Sequence, residues 1–66
     1  MILSDMIKER RAKLKISQAD LAEMAQVSLA TVKDIERGKG NPSLQTIEKL
    51  LDILGLEIVY RIRQTI

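Results

Sequence analysis

The chain has 66 residues and a net charge of +2, and it contains neither cysteine nor histidine. A domain of this size buries only about 60% of its unfolded surface, so we expect a second chain to supplement its core. The missing residue types exclude disulfides, thiolate zinc sites and histidine-based acid–base catalysis; we expect no enzyme activity, no cofactor and no metal.

Basic residues fall into two groups, one between positions 8 and 15 and one between positions 33 and 39. By itself this clustering only permits a nucleic-acid partner, because its effect depends on where each group faces. No apolar stretch approaches the roughly 20 residues of a membrane-spanning helix, and residues 1–5 lack a signal-peptide pattern. We therefore expect a cytoplasmic protein.

A first helix is expected to begin at Ser4, whose hydroxyl can cap it, and to end near Leu14. Ile7, Arg11 and Leu14 then fall on one face at helical spacing. Asp5 in the first turn and basic residues near the end suit the helix dipole.

Ser17 and Asp20 have the S-x-x-D spacing of a capping box, which predicts the start of a second helix. The apolar residues that follow form a small face, so another helix can approach closely. They are Leu21, Ala22 and Ala25. Gln26–Val27 is expected to be a short turn.

Ser28 is expected to cap a third helix, Leu29–Arg37. Val32 and Ile35 lie three residues apart and should both point into the core. Gly38 follows as a natural stop, because glycine accepts the left-handed conformation without a Cβ clash.

Ser43 is expected to cap a fourth helix that ends at Gly55, after a loop at residues 39–42. Its apolar positions recur at helical spacing and predict a buried stripe. The stripe consists of Leu44, Ile47, Leu50, Leu51 and Leu54.

Residues 56–63 alternate with a period of two, which predicts a strand. One strand cannot satisfy its own backbone groups, so we expect the tails of two chains to pair antiparallel across a two-fold axis. The residues expected at this contact are Leu56, Ile58, Val59, Tyr60 and Ile62. The chain is accordingly divided into a helical domain, residues 1–55, and a dimerisation strand, residues 56–66.

The segment from Ser17 to Arg37 has the arrangement of a helix-turn-helix, two short helices joined by a three-residue turn. The second helix of this motif enters the major groove of DNA, and its N-terminal residues reach base edges. Ala22 supplies a small residue where the helices cross, and Ser28 and Thr31 are short polar residues at the start of the second helix. The donors near the helix ends are candidates for phosphate contacts. They are Gln18, Lys33, Arg37, Lys39 and Asn41.

Residues 5–54, which include this motif, resemble the Cro/CI-type (XRE) repressor family. The runs that carry the resemblance are Ser17–Ala22, Val27–Ser28, Thr31–Val32, Ile35–Gly38 and Asn41–Leu44, in that order and spacing. The resemblance implies a mostly α, lambda-repressor-like domain of four to five helices, to which the tail adds a C-terminal β-strand that pairs across a dimer. It also implies a bacterial or phage repressor that binds a palindromic operator as a homodimer.

The resemblance further implies roles for individual residues. At the DNA it places Gln18 on a phosphate, Ser28, Leu29, Ala30, Thr31 and Lys33 in the groove, and Arg37, Lys39 and Asn41 along the backbone. It also implies a partly buried ion pair between Arg11 and Glu36.

Two departures from the family pattern affect this reading. Gln26 stands where glycine is common, and a positive φ there would cost on the order of 1 kcal/mol relative to glycine. Leu29 and Ala30 stand where longer polar side chains are common. They can contact thymine methyl groups, so base discrimination is expected to depend more on Thr31, Lys33 and DNA shape.

Two functions from different classes stay open. One is a repressor that regulates its own gene. The other is an antitoxin, since a helix-turn-helix followed by one terminal strand resembles the HipB-type group through its architecture and through Leu54–Glu57. The main role of such a protein would be to bind and neutralise a HipA-type kinase toxin.

Overall fold

In a computed structural model that describes residues 2–64, the chain folds into four α-helices. They are α1 (Leu3–Leu14), α2 (Gln18–Ala25), α3 (Leu29–Glu36) and α4 (Leu44–Leu54). The predicted mostly helical architecture is confirmed. Helix α2 packs against α3 and α4, and α1 packs against the same two helices.

Three of the four predicted serine caps are confirmed. The hydroxyls of Ser17, Ser28 and Ser43 each accept a hydrogen bond from the backbone N–H three residues later. At Ser17 the capping box is complete, because the Asp20 carboxylate also accepts from the Ser17 backbone N–H at 3.0 Å. These contacts satisfy backbone donors that the first turn of a helix leaves open.

The predicted cap at Ser4 is wrong. Helix α1 begins one residue earlier, at Leu3, and its N-cap Ile2 makes no side-chain hydrogen bond. The Ile2 carbonyl accepts from the Met6 N–H at 3.2 Å, which places Ser4 inside the first turn. There Ser4 is buried, so packing of α1 against the other helices decides where it starts.

The core is a single cluster drawn from all four helices. Its fully buried side chains are Ile7, Leu21, Leu50, Leu54 and Val32. Ala22, Ala25, Ile35 and Leu51 complete the cluster, as the sequence pattern predicted. These residues also account for the close packing of α2 on its neighbours, since alanine lets helix backbones approach.

One leucine of the predicted buried stripe is exposed: Leu44 is 50% exposed, so that prediction is wrong. Leu14, which was predicted to share a helix face with Ile7, is 42% exposed. Each is a terminal residue of its helix, where a face lacks neighbours on one side. Ile47, one turn into α4, is half-buried and packs against the core as expected.

The turn between α2 and α3 depends on a left-handed residue. Gln26 adopts φ 59° and ψ 44°, so the conditional expectation of positive φ at this position is confirmed. This conformation lets the Val27 N–H donate to the Ala22 carbonyl at 3.0 Å and ends α2 sharply. Gly55 ends α4 in the same way, at φ 73°.

Residues 56–64 are assigned to no helix or strand. Leu56 is half-buried and packs against the core, whereas Val59, Tyr60 and Ile62 are 71%, 77% and 95% exposed. The pairing predicted for this segment involves a second chain, so the strand and the dimer stay predictions. Thr65 and Ile66, which end the predicted strand region, lie outside the described residues. None of the helices within residues 2–64 is both long enough and apolar enough to cross a membrane.

Candidate nucleic-acid interface

Helix α3 has two faces of opposite character. Val32, Ile35 and Glu36 are buried against the body. The remaining positions include residues that are open to solvent along the length of the helix. The exposed residues of α3 and its C-cap are Leu29, Ala30, Lys33 and Arg37. The helix therefore presents a short, mixed apolar and basic surface outward.

A partly buried hydrogen-bond network holds the inner face of α3 in place. Arg11 Nε donates to Glu36 Oε2 at 2.8 Å, and Arg11 Nη2 donates to Glu36 Oε1 at 3.1 Å. Gln18 Nε2 donates to the same Oε1 atom at 3.1 Å. Arg11 also donates from Nη1 to the Ile16 carbonyl at 3.0 Å. One carboxylate thus joins side chains from α1, α2 and α3.

The ion pair that the resemblance implied is therefore present, and its geometry is that of a strong contact. The Glu36 side chain is only 3% exposed and that of Arg11 is 22% exposed. Two parallel N–H···O bonds between guanidinium and carboxylate fix both orientation and distance. The hydrogen bond to Glu36 raises the pKa of Arg11 above its ordinary value, and the charge of Glu36 acts in the same direction against partial burial.

Gln18 lies at the boundary between this network and the surface. It is the first residue of α2 and is half-buried. Its amide nitrogen carries two hydrogens, and Glu36 takes one of them. The second remains to donate to a group outside the protein, which is compatible with the predicted phosphate contact.

The structure brings seven of the nine predicted DNA-contacting residues into two shallow depressions beside α3. Gln18, Ala30, Lys33 and Arg37 line one shallow depression. Thr31, Lys39 and Asn41 line a second one, next to the α3–α4 loop.

Ser28 and Leu29 do not line either depression and stand at the start of α3. The Ser28 hydroxyl caps the helix by accepting from the Thr31 N–H at 3.0 Å. The two hydroxyls of Ser28 and Thr31 are also hydrogen-bonded to each other at 2.7 Å. Leu29 is 38% exposed. The cap role of Ser28 therefore accompanies any contact that it makes with DNA.

Asp34 is a surface residue that the sequence reasoning missed. It lines both depressions and forms an ion pair with Arg37. It lies three residues after Thr31 and four after Ala30, so it shares their helix face. That spacing is the signal that could have found it. The surface thus carries one carboxylate among the cations Lys33, Arg37 and Lys39.

Comparison with known proteins gives matches over most of the chain. The family profile described as helix-turn-helix matches residues 7–61. An immunity repressor protein of Bacillus phage phi105 is 40% identical over 58 residues, which make up 88% of this chain and 40% of the relative. The HTH-type transcriptional regulator DdrOP3 of Deinococcus deserti is 34% identical over 58 residues, 88% of this chain and 45% of the relative. The chain spans less than half the length of these curated relatives.

Proposed function

This chain belongs to the helix-turn-helix family, and on that premise we propose that it is a sequence-specific DNA-binding transcriptional repressor. It acts as a homodimer on a palindromic operator, and it controls its own gene. One of the two relatives described above is named an immunity repressor and the other a transcriptional regulator, and both names agree with this class of function.

The observation that carries the proposal is the division of α3 into an anchored face and a free face. The network of Arg11, Gln18 and Glu36 anchors the helix on one side. On the other side Leu29, Ala30 and Lys33 are open to solvent. A helix that inserts into the major groove needs both properties. One face must pack against the rest of the protein, and the side chains of the other face must be free to contact DNA.

The chemistry of the exposed residues divides them into two roles. Phosphate oxygens accept hydrogen bonds from Gln18, Lys33, Arg37, Lys39 and Asn41 in this proposal. These contacts set affinity and register without reading sequence. Leu29 and Ala30 contact thymine methyl groups, and Thr31 reaches a base edge through its hydroxyl.

The tail supplies the dimer in this proposal. Val59, Tyr60 and Ile62 expose apolar surface that a second copy can cover. Pairing of the two tails places the two α3 helices on half-sites about one helical turn, ~34 Å, apart. Palindromic symmetry in the operator then mirrors the two-fold symmetry of the protein.

The test is a mobility-shift assay with the DNA upstream of the gene that encodes this chain. We expect Lys33→Ala to weaken binding and to reduce the slope of log affinity against log salt by about one, since one phosphate contact is lost. Thr31→Ala should reduce the preference for this DNA over random duplex.

Lys49→Ala is the matched control, because Lys49 is an exposed lysine on α4, outside the proposed surface. It removes the same charge, so wild-type affinity and salt slope are expected. The proposal would be contradicted if wild-type protein bound the upstream DNA no better than random DNA at every salt concentration. It would also be contradicted if Lys33→Ala and Lys49→Ala had equal effects. The antitoxin function stays a prediction, because no contact within residues 2–64 tests it.

A further inference from the structure

We infer that Asp34 is a base-selective acceptor on the α3 surface, and that its carboxylate takes a hydrogen bond from the exocyclic amino group of a cytosine in the major groove. The inference rests on the proposed DNA-binding function. It adds a residue to the contact surface and assigns it a base.

The position of Asp34 is central. It is shared by the depression that contains Gln18, Ala30 and Lys33 and by the depression that contains Thr31. Its side chain is 43% exposed. Any duplex that covers both depressions must therefore meet this carboxylate.

A carboxylate in this place faces a polyanion, and the structure shows how its charge is offset. The Arg37 guanidinium donates from Nη2 to Asp34 Oδ1 within a single helical turn. The pair brings a cation to the carboxylate before DNA arrives, so Asp34 approaches the groove as part of a neutral unit. Repulsion by the phosphates is reduced accordingly.

The second carboxylate oxygen is open. Among the described residues no hydrogen bond to Asp34 Oδ2 is seen, and Gly40 of the adjoining loop lies beside it. A Cβ at position 40 would stand 4.0 Å from Oδ2 and 3.5 Å from Asp34 Cβ. These are ordinary van der Waals distances, so the loop does not crowd the carboxylate. Because the side chain is also partly exposed, Oδ2 can accept from a ligand.

The chemistry of an ionised carboxylate selects the base. It accepts hydrogen bonds and donates none, so it needs an amino group on the groove edge. Cytosine offers its N4 amino group there. Adenine offers N6 as well, but its N7 acceptor stands beside the amino group and repels a carboxylate. Guanine and thymine present acceptors, so cytosine is the base that Asp34 favours.

The test selects bound sequences from a library of duplexes with about 25 randomised base pairs, which holds two half-sites one helical turn apart. Full-length wild-type protein, Asp34→Asn and Asp34→Ala are compared. Glu9→Gln is the control, since it removes one exposed carboxylate on α1. We expect wild type and the control to enrich cytosine on the order of tenfold at one position in each half-site.

Asp34→Ala should lose this enrichment and leave the other positions unchanged. Asp34→Asn should replace cytosine by adenine, because an asparagine amide pairs with N6 and N7 together. Circular dichroism melting establishes that each variant is folded, and the near-isosteric Asp34→Asn carries the test if Asp34→Ala is not. Identical base preferences in wild type and Asp34→Asn overturn the inference alone. So does uniformly tighter binding of Asp34→Ala to all sequences, which would reveal simple phosphate repulsion. If wild type enriches no sequence, the inference falls together with the proposed function.

Discussion

The helical body and the tail both contain many apolar residues, but the body buries a cluster of them and the tail leaves most of its own exposed. In the body, residues 3–54, Leu21, Val32 and Leu50 are fully buried. In the tail, residues 56–64, Tyr60 is 77% exposed and Ile62 is 95% exposed. The core of the body is thus packed within one chain, whereas among residues 56–64 Leu56 alone packs against that core.

This difference separates two kinds of information in a short sequence. The fold of the body can be predicted from its own sequence, since each helix has its own cap or its own contact with the core. The tail has a period of two, and within residues 2–64 no strand lies beside it. The strand proposed for it therefore needs a second chain. The four predictions below test how sharply the two regions differ.

The largest expected effect concerns the body. Arg11→Ala leaves the Glu36 carboxylate 3% exposed without its cationic partner. Removing one member of a fully buried pair costs about 3–5 kcal/mol, and the partial exposure of Arg11 lowers this to roughly 2–3 kcal/mol. Thermal unfolding followed by circular dichroism should show Tm lower by about 10–20 °C.

The double variant Arg11→Met with Glu36→Leu is the companion measurement. It removes both charges and keeps the volume, so most of the lost stability should return. If Arg11→Ala melts like wild type, the body does not depend on this network and the contrast with the tail is weaker than described.

The next effect concerns the tail. Tyr60→Asp places a charge in the proposed strand pairing and should weaken the dimer by roughly 2 kcal/mol or more, as expected for a central aromatic residue. Sedimentation velocity at micromolar concentration should show a shift from dimer to monomer. Deletion of residues 56–66 should likewise yield a monomer or an unfolded chain.

Met24→Asp is the matched control for the tail, because Met24 is an apolar residue of α2 with 54% exposure. It introduces the same charge outside the proposed interface, so the dimer should persist. An unchanged sedimentation coefficient for Tyr60→Asp would remove the tail from the assembly. The tail would then be an exposed apolar segment of unexplained purpose.

A smaller effect concerns the turn inside the motif. Gln26→Gly relieves a left-handed conformation at φ 59° and should stabilise the body by about 1 kcal/mol. Tm should rise by about 4–8 °C. Gly55→Ala tests the same logic in reverse, since φ is 73° and a Cβ would lie 3.2 Å from Arg10 Nη2. A gain in stability from Gly55→Ala would contradict the account of both helix ends.

The smallest effect is a pH dependence at the capping box. Hydrogen bonds from Ser17 lower the pKa of Asp20 below its ordinary value of 3.8. A lowered pKa in the folded state stabilises the fold above the ordinary value, and this contribution is lost as pH falls through the lowered one. The Tm difference between wild type and Asp20→Asn should therefore shrink as pH is lowered from 7 to about 3. A constant difference would show that the Asp20 charge does not contribute.

The sequence predicted those parts of the fold that depend on local contacts. Ser17 and Asp20 are three residues apart, and their capping box follows from that spacing alone. The start of α1 did not follow, because the burial of Ser4 is decided by helices distant in sequence. Gln18 and Glu36 are 18 residues apart, so their hydrogen bond emerges only when α2 packs on α3.

The candidate site was likewise predictable in outline. The motif spacing placed Lys33 and Thr31 on α3 and outside the core face. Asp34 was missed although it lies three residues after Thr31 and four after Ala30, because an acidic side chain is not expected among residues proposed to contact phosphates. The pairing predicted for the tail stays a prediction, because alternation indicates a strand and identifies neither its neighbour nor its register.

The shared carboxylate of Glu36 has a consequence for redesign of this protein. It fastens α3 to α1 through Arg11 and to α2 through Gln18. The buried residues Val32, Ile35 and Glu36 hold α3 on the protein and would be kept in a redesign. Substitutions at positions 29, 30, 33 and 34 change the exposed side of the helix and leave these three residues unchanged. Position 31 is different, because the Thr31 hydroxyl is hydrogen-bonded to the hydroxyl of Ser28, the N-cap of α3. A substitution at position 31 is therefore expected to change the stability of α3 together with any contact to DNA.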